Sequence, residues 1–218
     1  MKKSEEEVLS WLSEKRCRAV VEHLQRRRFT AVYCATRQEA VDYVLEQTRE
    51  AVSVGFGGSY TIAGLGVEQK LAEQGNRILN HGHPDLTPEE KLRVRNAELT
   101  CDLFLASSNA VTMDGILVNI DGVGNRCAAM TCGPKKVVLV IGRNKIVDGT
   151  IQDAIDRVKN IASPPNAMRL DKKTPCAETG RCMDCQSPDR ICCVTTILER
   201  KPRTSDFHVV MLNDDIGF

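Results

Sequence analysis

Aromatic side chains are scarce: Phe, Trp and Tyr make up 4% of the 218 residues, and none is interleaved with a basic run. The stacking platform that single-stranded nucleic acid uses is therefore missing. Neither sign of charge is in excess, with 30 Lys and Arg against 29 Asp and Glu. No basic field is available to draw in a phosphate backbone, so a nucleic-acid partner is not expected. No run approaches the roughly 20 apolar residues of a spanning helix. The leading stretch MKKSEEEVLSWLSEKRCRAV lacks the continuous apolar segment of a secretory signal. The expected setting is the cytoplasm, with no membrane partner. There is no internal repeat, no low-complexity tract and no G-x-S-x-G elbow of a serine hydrolase. Cysteine, by contrast, is plentiful, with ten residues. In a reducing compartment these read as free, buried or metal-binding thiols rather than disulfides.

What is present suits one α/β domain with a small appendage. Residues 1–30 read as an N-terminal amphipathic helix, with Ser4 and Glu7 as a capping box and apolar positions at Val8, Leu9, Leu12, Ala19, Val20 and Leu24. Arg26, Arg27 and Arg28 near its C-terminal end read as solvated charges that complement the helix dipole. Residues 31–218 form the main domain, including a cysteine-rich segment over 176–193. FTAVYCA and AVSVG read as strands, separated by a helix that Thr36 caps and that runs through Glu50. A helix through Leu71, a strand with its exit loop at RILNHGHPD, a helix TPEEKLRVRNAELT with Pro88 in its first turn, and the strand CDLFLASS follow. This β-α alternation implies a mainly parallel sheet covered by helices. Two apolar runs around Asp114-Gly115 predict an inserted β-hairpin. KKVVLVIG reads as a core strand, TIQDAIDRVKNIASPPNAMRL as a helix stopping at Pro164-Pro165, and CVTTILE and FHVVML as closing strands.

Three stretches carry chemistry. In SVGFGGSYTIAG, Gly55, Gly57 and Gly58 lie between a strand and a helix, where backbone N–H groups can turn toward an anion and Ser59 and Thr61 can add hydroxyls. The spacing matches neither a Walker loop nor G-x-G-x-x-G, and a plain tight turn is an equal alternative. In NIDGVGNR, Asn119, Asp121, Asn125 and Arg126 surround two glycines after a strand. Asp121 is a candidate general base and Arg126 a candidate bidentate anion ligand. The competing reading has Asp121 capping the next helix and Arg126 pairing with a carboxylate. Arg143 and Lys145 in GRNK follow a core strand, at the carboxyl edge where open α/β sheets bind ligands, or are solvated loop charges. His81 and His83 in HGHP lack metal-ligand spacing.

The third stretch, CAETGRCMDCQSPDRICC, places Cys176, Cys182, Cys185, Cys192 and Cys193 in a C-x5-C-x2-C-x6-C-C pattern. Four of these, Cys176, Cys182, Cys185 and Cys192, suffice for a tetrahedral thiolate site, with zinc as first choice and an iron–sulfur cluster as second. A reversible disulfide or buried free thiols are the alternative. Cys17, Cys34, Cys101, Cys127 and Cys132 read as small core residues.

Taken together, GFGGSYTIAGLG, DGILVNIDGVGNRCAAMTCGPKKVVLVIGRNKIV, SPPNAMRL and CAETGRCMDCQSPDRICCVTTILERKP resemble the LUD domain family, which includes lactate-utilisation protein C, in a branch with a cysteine tail. The resemblance implies a three-layer α/β fold similar to the NagB/RpiA/CoA-transferase superfamily. It gives Gly57, Gly58, Ser59 and Thr61 the role of a loop that contacts phosphate or an acyl ligand. It also implies a place in organic-acid metabolism, where relatives take part in oxidising L-lactate to pyruvate beside iron–sulfur protein partners. The acidic cluster of pentose-phosphate isomerases is absent, so isomerase activity is not carried over. The resulting expectation is a small carboxylate or phosphorylated ligand held between residues 55–61 and 119–126. A redox or metal-carrying accessory role for the cysteine tail is the alternative. A third reading is a docking module whose N-terminal helix binds a partner or a second copy as a homodimer.

Overall fold

The computed structural model describes residues 3–48 and 52–218. Helix α1 (Glu5–Arg26) starts at the expected capping box, Ser4 accepting from the Glu7 N–H while the Glu7 side chain accepts from the Ser4 N–H. Only its second half reaches the core, through Cys17, Val20, Val21 and Leu24; Val8, Leu9, Trp11 and Leu12 stay exposed. Of the three arginines at its end, Arg27 is not a free surface charge. Its guanidinium holds Asp114 at 2.8 Å and the Glu199 carbonyl at 2.8 Å, tying the helix to the hairpin and to the segment after the penultimate strand.

Strand β1 (Thr30–Cys34) leads to α2 (Arg37–Glu46), which Thr36 caps as expected. The helix closes at Gln47, short of Glu50, which lies outside the described residues together with Ala51 of the AVSVG strand. Then come β2 (Ser53–Phe56), α3 (Tyr60–Ala63), α4 (Val67–Glu73), β3 (Arg77–Leu79), α5 (Pro88–Glu98) and β4 (Leu103–Ala106). The helix expected through Leu71 is thus two short ones, because Gly66 adopts a left-handed φ of 64° and breaks the path. The hairpin β5 (Ala110–Thr112) and β6 (Leu117–Asp121) turns at Asp114-Gly115 as expected, and α6 (Asn125–Thr131), β7 (Lys136–Gly142) and β8 (Ile146–Val147) follow.

The long helix does not stop at Pro164-Pro165. Helix α7 (Ile151–Arg157) widens into a π turn over Val158–Ala162 and continues as α8 (Ser163–Arg169). The prolines occupy the first turn of α8, where a missing N–H costs least. A short α9 (Pro175–Thr179) opens the cysteine-rich segment, and β9 (Val194–Leu198) and β10 (Asp206–Leu212) complete the chain.

Six strands form one parallel sheet in the order β1-β10-β7-β4-β2-β3. Its strands are apolar on both faces, as a buried parallel sheet requires. Along β7, Val137, Leu139 and Ile141 face α1 and α6, while Val138 and Val140 face α2, α3 and α4. The architecture is therefore the three-layer α/β arrangement read from the sequence. The hairpin is larger than expected: β8 and β9 flank it, giving a second sheet in the order β8-β5-β6-β9. Ala154, Val158 and Ala162 from α7 and the π turn pack on this sheet against Val118 and Ile120. Among the described residues no helix is long and apolar enough to cross a membrane.

Candidate functional site

In the parallel sheet the connection from β3 to β4 crosses back over β2, so the segments leaving β2 and β4 diverge at their carboxyl ends. Such a reversal leaves a crevice where α/β sheets take ligands. Here the crevice is a cleft of about 470 Å³, walled by Gly57, Gly58, Ser59, Tyr60 and Thr61 after β2, Ser107 and Asn109 after β4, and Asp121, Asn125 and Arg126 around β6 and α6. The glycine loop and NIDGVGNR thus share one cleft. Gly57 is required by space: a Cβ there would lie 3.0 Å from Ala106 Cβ and 3.2 Å from Arg126 Cδ. Gly58 is required by its φ of 66°. Ser59 caps α3 through a 3.4 Å bond from the Ile62 N–H, but that helix is a single turn and contributes little dipole.

Arg126 is not a free anion ligand. Its Nε and Nη2 donate to Asp121 Oδ1 at 3.0 and 2.6 Å, and Nη1 donates to Asn119 Oδ1 at 2.7 Å and the Ser107 carbonyl at 3.0 Å. Nη2 also reaches Asn109 Oδ1 at 2.8 Å. The other oxygen of Asp121 accepts the Cys127 N–H at 2.8 Å, capping α6. Both side chains are about 90% buried. This pair forms a brace beneath the cleft, joining the ends of β4 and β6, with Asn119 one strut of it. Gly55 lies within β2, where a Cβ would meet Cys101 Sγ at 2.9 Å, and it does not reach the cleft. Arg143 points away toward α1, pairing with Asp215 at 3.0 Å and bonding Ser13 Oγ at 3.3 Å.

Lys145 is different. It leaves β7 on a 3₁₀ turn (Arg143–Lys145), is only 3% exposed, and donates to Thr61 Oγ1 at 2.8 Å and Ser107 Oγ at 3.0 Å. Among the described residues it forms no ion pair. Burial pushes its ammonium down to about 7, and the nearby guanidiniums of Arg157 and Arg126 add to this. Arg157 is itself buried, donating to the carbonyls of Asn109 and Asn144 at 2.7 and 2.8 Å, and burial lowers it to about 10. The end of the chain closes over Lys145: Thr61 Oγ1 donates to the Ile216 carbonyl, Asn144 to the Gly217 carbonyl, and the Phe218 ring lies 5.3 Å from Tyr60.

Several cleft residues were not singled out from sequence. Arg169, from SPPNAMRL, stacks over Tyr60 at 4.4 Å and bonds the Gly58 carbonyl at 3.3 Å. Arg95 lines the cleft with its Nε buried and without a partner among the described residues. His81, set aside above as a metal ligand, bonds both oxygens of the buried Glu98 through Nδ1 at 2.8 Å. A carboxylate only accepts, so Nδ1 carries a proton and the ring's Nε2 is left on the side of Gly58. The charged side chains of Arg95 and Glu98 gave no signal in the sequence; where α5 packs on β2 and β3, Glu98 is buried and Arg95 half-buried.

Cys176, Cys182, Cys185 and Cys192 line a second, small cavity of about 20 Å³, shared with Thr174, Ser163 and Arg190. All ten cysteines are free. Among the described residues no three or more His, Cys, Asp or Glu side chains are already gathered closely enough to hold a metal ion. Four of the isolated cysteines are core residues whose thiols burial pushes up to about 11, while Cys132 is exposed.

The crystal structure of a DUF162 family protein from Deinococcus radiodurans is similar to this chain, with 12% identity and a TM-score of 0.49, covering 92% of this chain and 98% of that one. No curated protein matches. The family model of the LUD domain matches residues 17–212, nearly the whole chain including most of the cleft and the cysteine-rich segment, and the protein belongs to the LUD domain family.

Proposed function

We propose that this protein binds a small anionic metabolite, a carboxylate or phosphorylated compound of the organic-acid metabolism with which the LUD family is associated, in the cleft above Lys145. The observation that carries this reading is the uncompensated charge. Lys145 and Arg157 are buried with only hydroxyl and carbonyl partners, while Arg126 has already neutralised Asp121. Burying cations without a counter-ion is costly, and an anion entering the cleft relieves that cost. Arg95 Nε and the Arg169 guanidinium at the rim add donors for a second anionic group. The volume of about 470 Å³ exceeds what lactate alone fills and suits a ligand of cofactor or phosphorylated-acid size.

The same residues can move protons. An amine poised near 7 lies at an effective basicity for proton transfer at neutral pH, and the His81 ring, oriented by Glu98, leaves its Nε2 on the side of Gly58. Asp121, tied by Arg126 and the Cys127 amide, serves as the strut rather than as the base in this reading.

The test is thermal denaturation with lactate, pyruvate, phosphorylated hydroxy acids and coenzyme A. A true ligand at about 100 times its Kd adds about 2.7 kcal/mol, and Lys145→Met removes the shift. Flat curves with every anion up to millimolar concentration refute the reading.

A further inference from the structure

We infer that Cys176, Cys182, Cys185 and Cys192 are the ligands of a four-thiolate metal site, specific for a thiophilic centre. The four come from separate places, Cys176 from α9, Cys182 and Cys185 from the irregular segment after it, and Cys192 from the approach to β9, yet all face one small cavity. The fifth cysteine of the segment does not: Cys193 is exposed, and its thiol bonds the Arg190 carbonyl at 3.3 Å. The fold thus selects four of five.

The surroundings of the cavity suit sulfur ligands. Thr174 Oγ1 lies 3.3 Å from Cys176 Sγ, and Ser163 Oγ lies 3.2 Å from Cys192 Sγ. A thiolate has no proton to give, so on metal binding each hydroxyl becomes the donor and stabilises its sulfur from outside the ligand set. Four thiolates around a divalent ion leave two excess negative charges, and Lys159 and Arg190 line the same cavity to offset them. Asp184, the one carboxylate there, is held by Arg190 at 2.8 Å and Lys159 at 3.7 Å, so hard oxygen ligation is not on offer.

To bind zinc the thiols must close in until each sulfur lies about 2.3 Å from the ion. The movement is a rearrangement within a segment held by side-chain hydrogen bonds, such as Ser187 Oγ to the Lys173 carbonyl at 2.8 Å, rather than by a helix or a strand ladder. Residues 181–193 contain no helix or strand, and Arg190 already clamps both sides of the loop, donating to the carbonyls of Cys185 at 2.5 Å and Cys192 at 2.9 Å. A divalent ion entering the cavity displaces the thiol protons to solvent and forms four metal–sulfur bonds with no change of oxidation state. Zinc and an iron–sulfur cluster share this ligand chemistry. Ile191, between Arg190 and Cys192, lines both this cavity and the anion cleft, and the Cys193 N–H bonds the Asp121 carbonyl at 2.9 Å. The metal would therefore fix one wall of the cleft.

The full chain, purified without oxygen, is analysed for zinc, iron and acid-labile sulfide, and the metal-free protein is titrated with cobalt(II). Stoichiometric zinc supports the site, as does iron with sulfide, and the two are told apart directly; cobalt(II) should give an intense thiolate charge-transfer band. Cys182→Ser and Cys185→Ser should each lower metal affinity by at least about tenfold, while Cys132→Ser and Cys193→Ser leave it unchanged. Protein that neither carries metal nor takes up zinc or cobalt(II), or metal retained undiminished in the Cys182→Ser and Cys185→Ser variants, overturns the inference. Metal content is read with no anion present, so it fails or stands separately from the reading of the cleft.

Discussion

Replacing Lys145 with Met tests the electrostatics of the cleft most directly, because the amine is 3% exposed and its two partners are neutral hydroxyls. Burial lowers this group from an ordinary 10.5 to about 7 in the folded protein. Between those values the unfolded chain binds a proton that the folded chain does not, so the wild type gains stability as pH rises from about 7 to 10.5. Below about 7 the amine is charged in both states and the full penalty is present. At about 1.4 kcal/mol per pH unit the penalty is of order 5 kcal/mol. Methionine fills a similar volume without charge, and Thr61 and Ser107 keep the carbonyls of Ile216 and Ser108 as acceptors. The lysine's own hydrogen bonds are lost at about 1 kcal/mol each, so the variant should be more stable than wild type by about 2–4 kcal/mol at pH 6. That advantage should shrink steadily to pH 9 and beyond. Urea unfolding at pH 6, 7.5 and 9 under reducing conditions measures it. Parallel pH profiles for the two proteins, or a variant less stable at pH 6, would refute the argument that Lys145 is buried at a cost.

Further outcomes follow from the same geometry. Anion affinity should fall as pH rises through about 7 in the wild type, since only the ammonium attracts the ligand; calorimetric titration from pH 6 to 9 reads this, and a flat profile contradicts a role for Lys145. Arg126→Met leaves Asp121 buried without its partner and should destabilise the fold by about 3–5 kcal/mol, seen in chemical denaturation. Gly57→Ala places a methyl 3.0 Å from Ala106 Cβ and against the Arg126 stem, and should cost about 1–3 kcal/mol while weakening anion binding. Gly217→Ala puts a Cβ against Thr61 Oγ1 at a φ of 66°. It should free the end of the chain from Lys145, detected as faster amide exchange over residues 214–218.

Much of the scaffold was legible because it rests on local chemistry. The Ser4–Glu7 and Thr36 caps, the doubly apolar strand KKVVLVIG and the Asp114-Gly115 turn each act within a few residues, and each lies where its pattern put it. The misread points are those where longer-range packing overrode a local signal. The prolines at 164–165 did not end a helix, because a π turn before them relieved the missing N–H groups. Val8, Leu9 and Leu12 kept helical spacing but stay exposed, because α1 packs on the core only through its second half, at Cys17, Val20, Val21 and Leu24.

The sequence by itself determined the layers of this protein, the glycine loop at a strand end and the run of cysteines, because backbone propensity and apolar period are written residue by residue. Tertiary structure alone decided which charges have partners. Arg126 and Lys145 look alike on paper, yet Arg126 is spent on a buried carboxylate five residues earlier, whereas Lys145 is delivered by another strand into a pocket of hydroxyls. Charge compensation depends on what surrounds a group in space, and in this fold that is set by strands far apart in the chain.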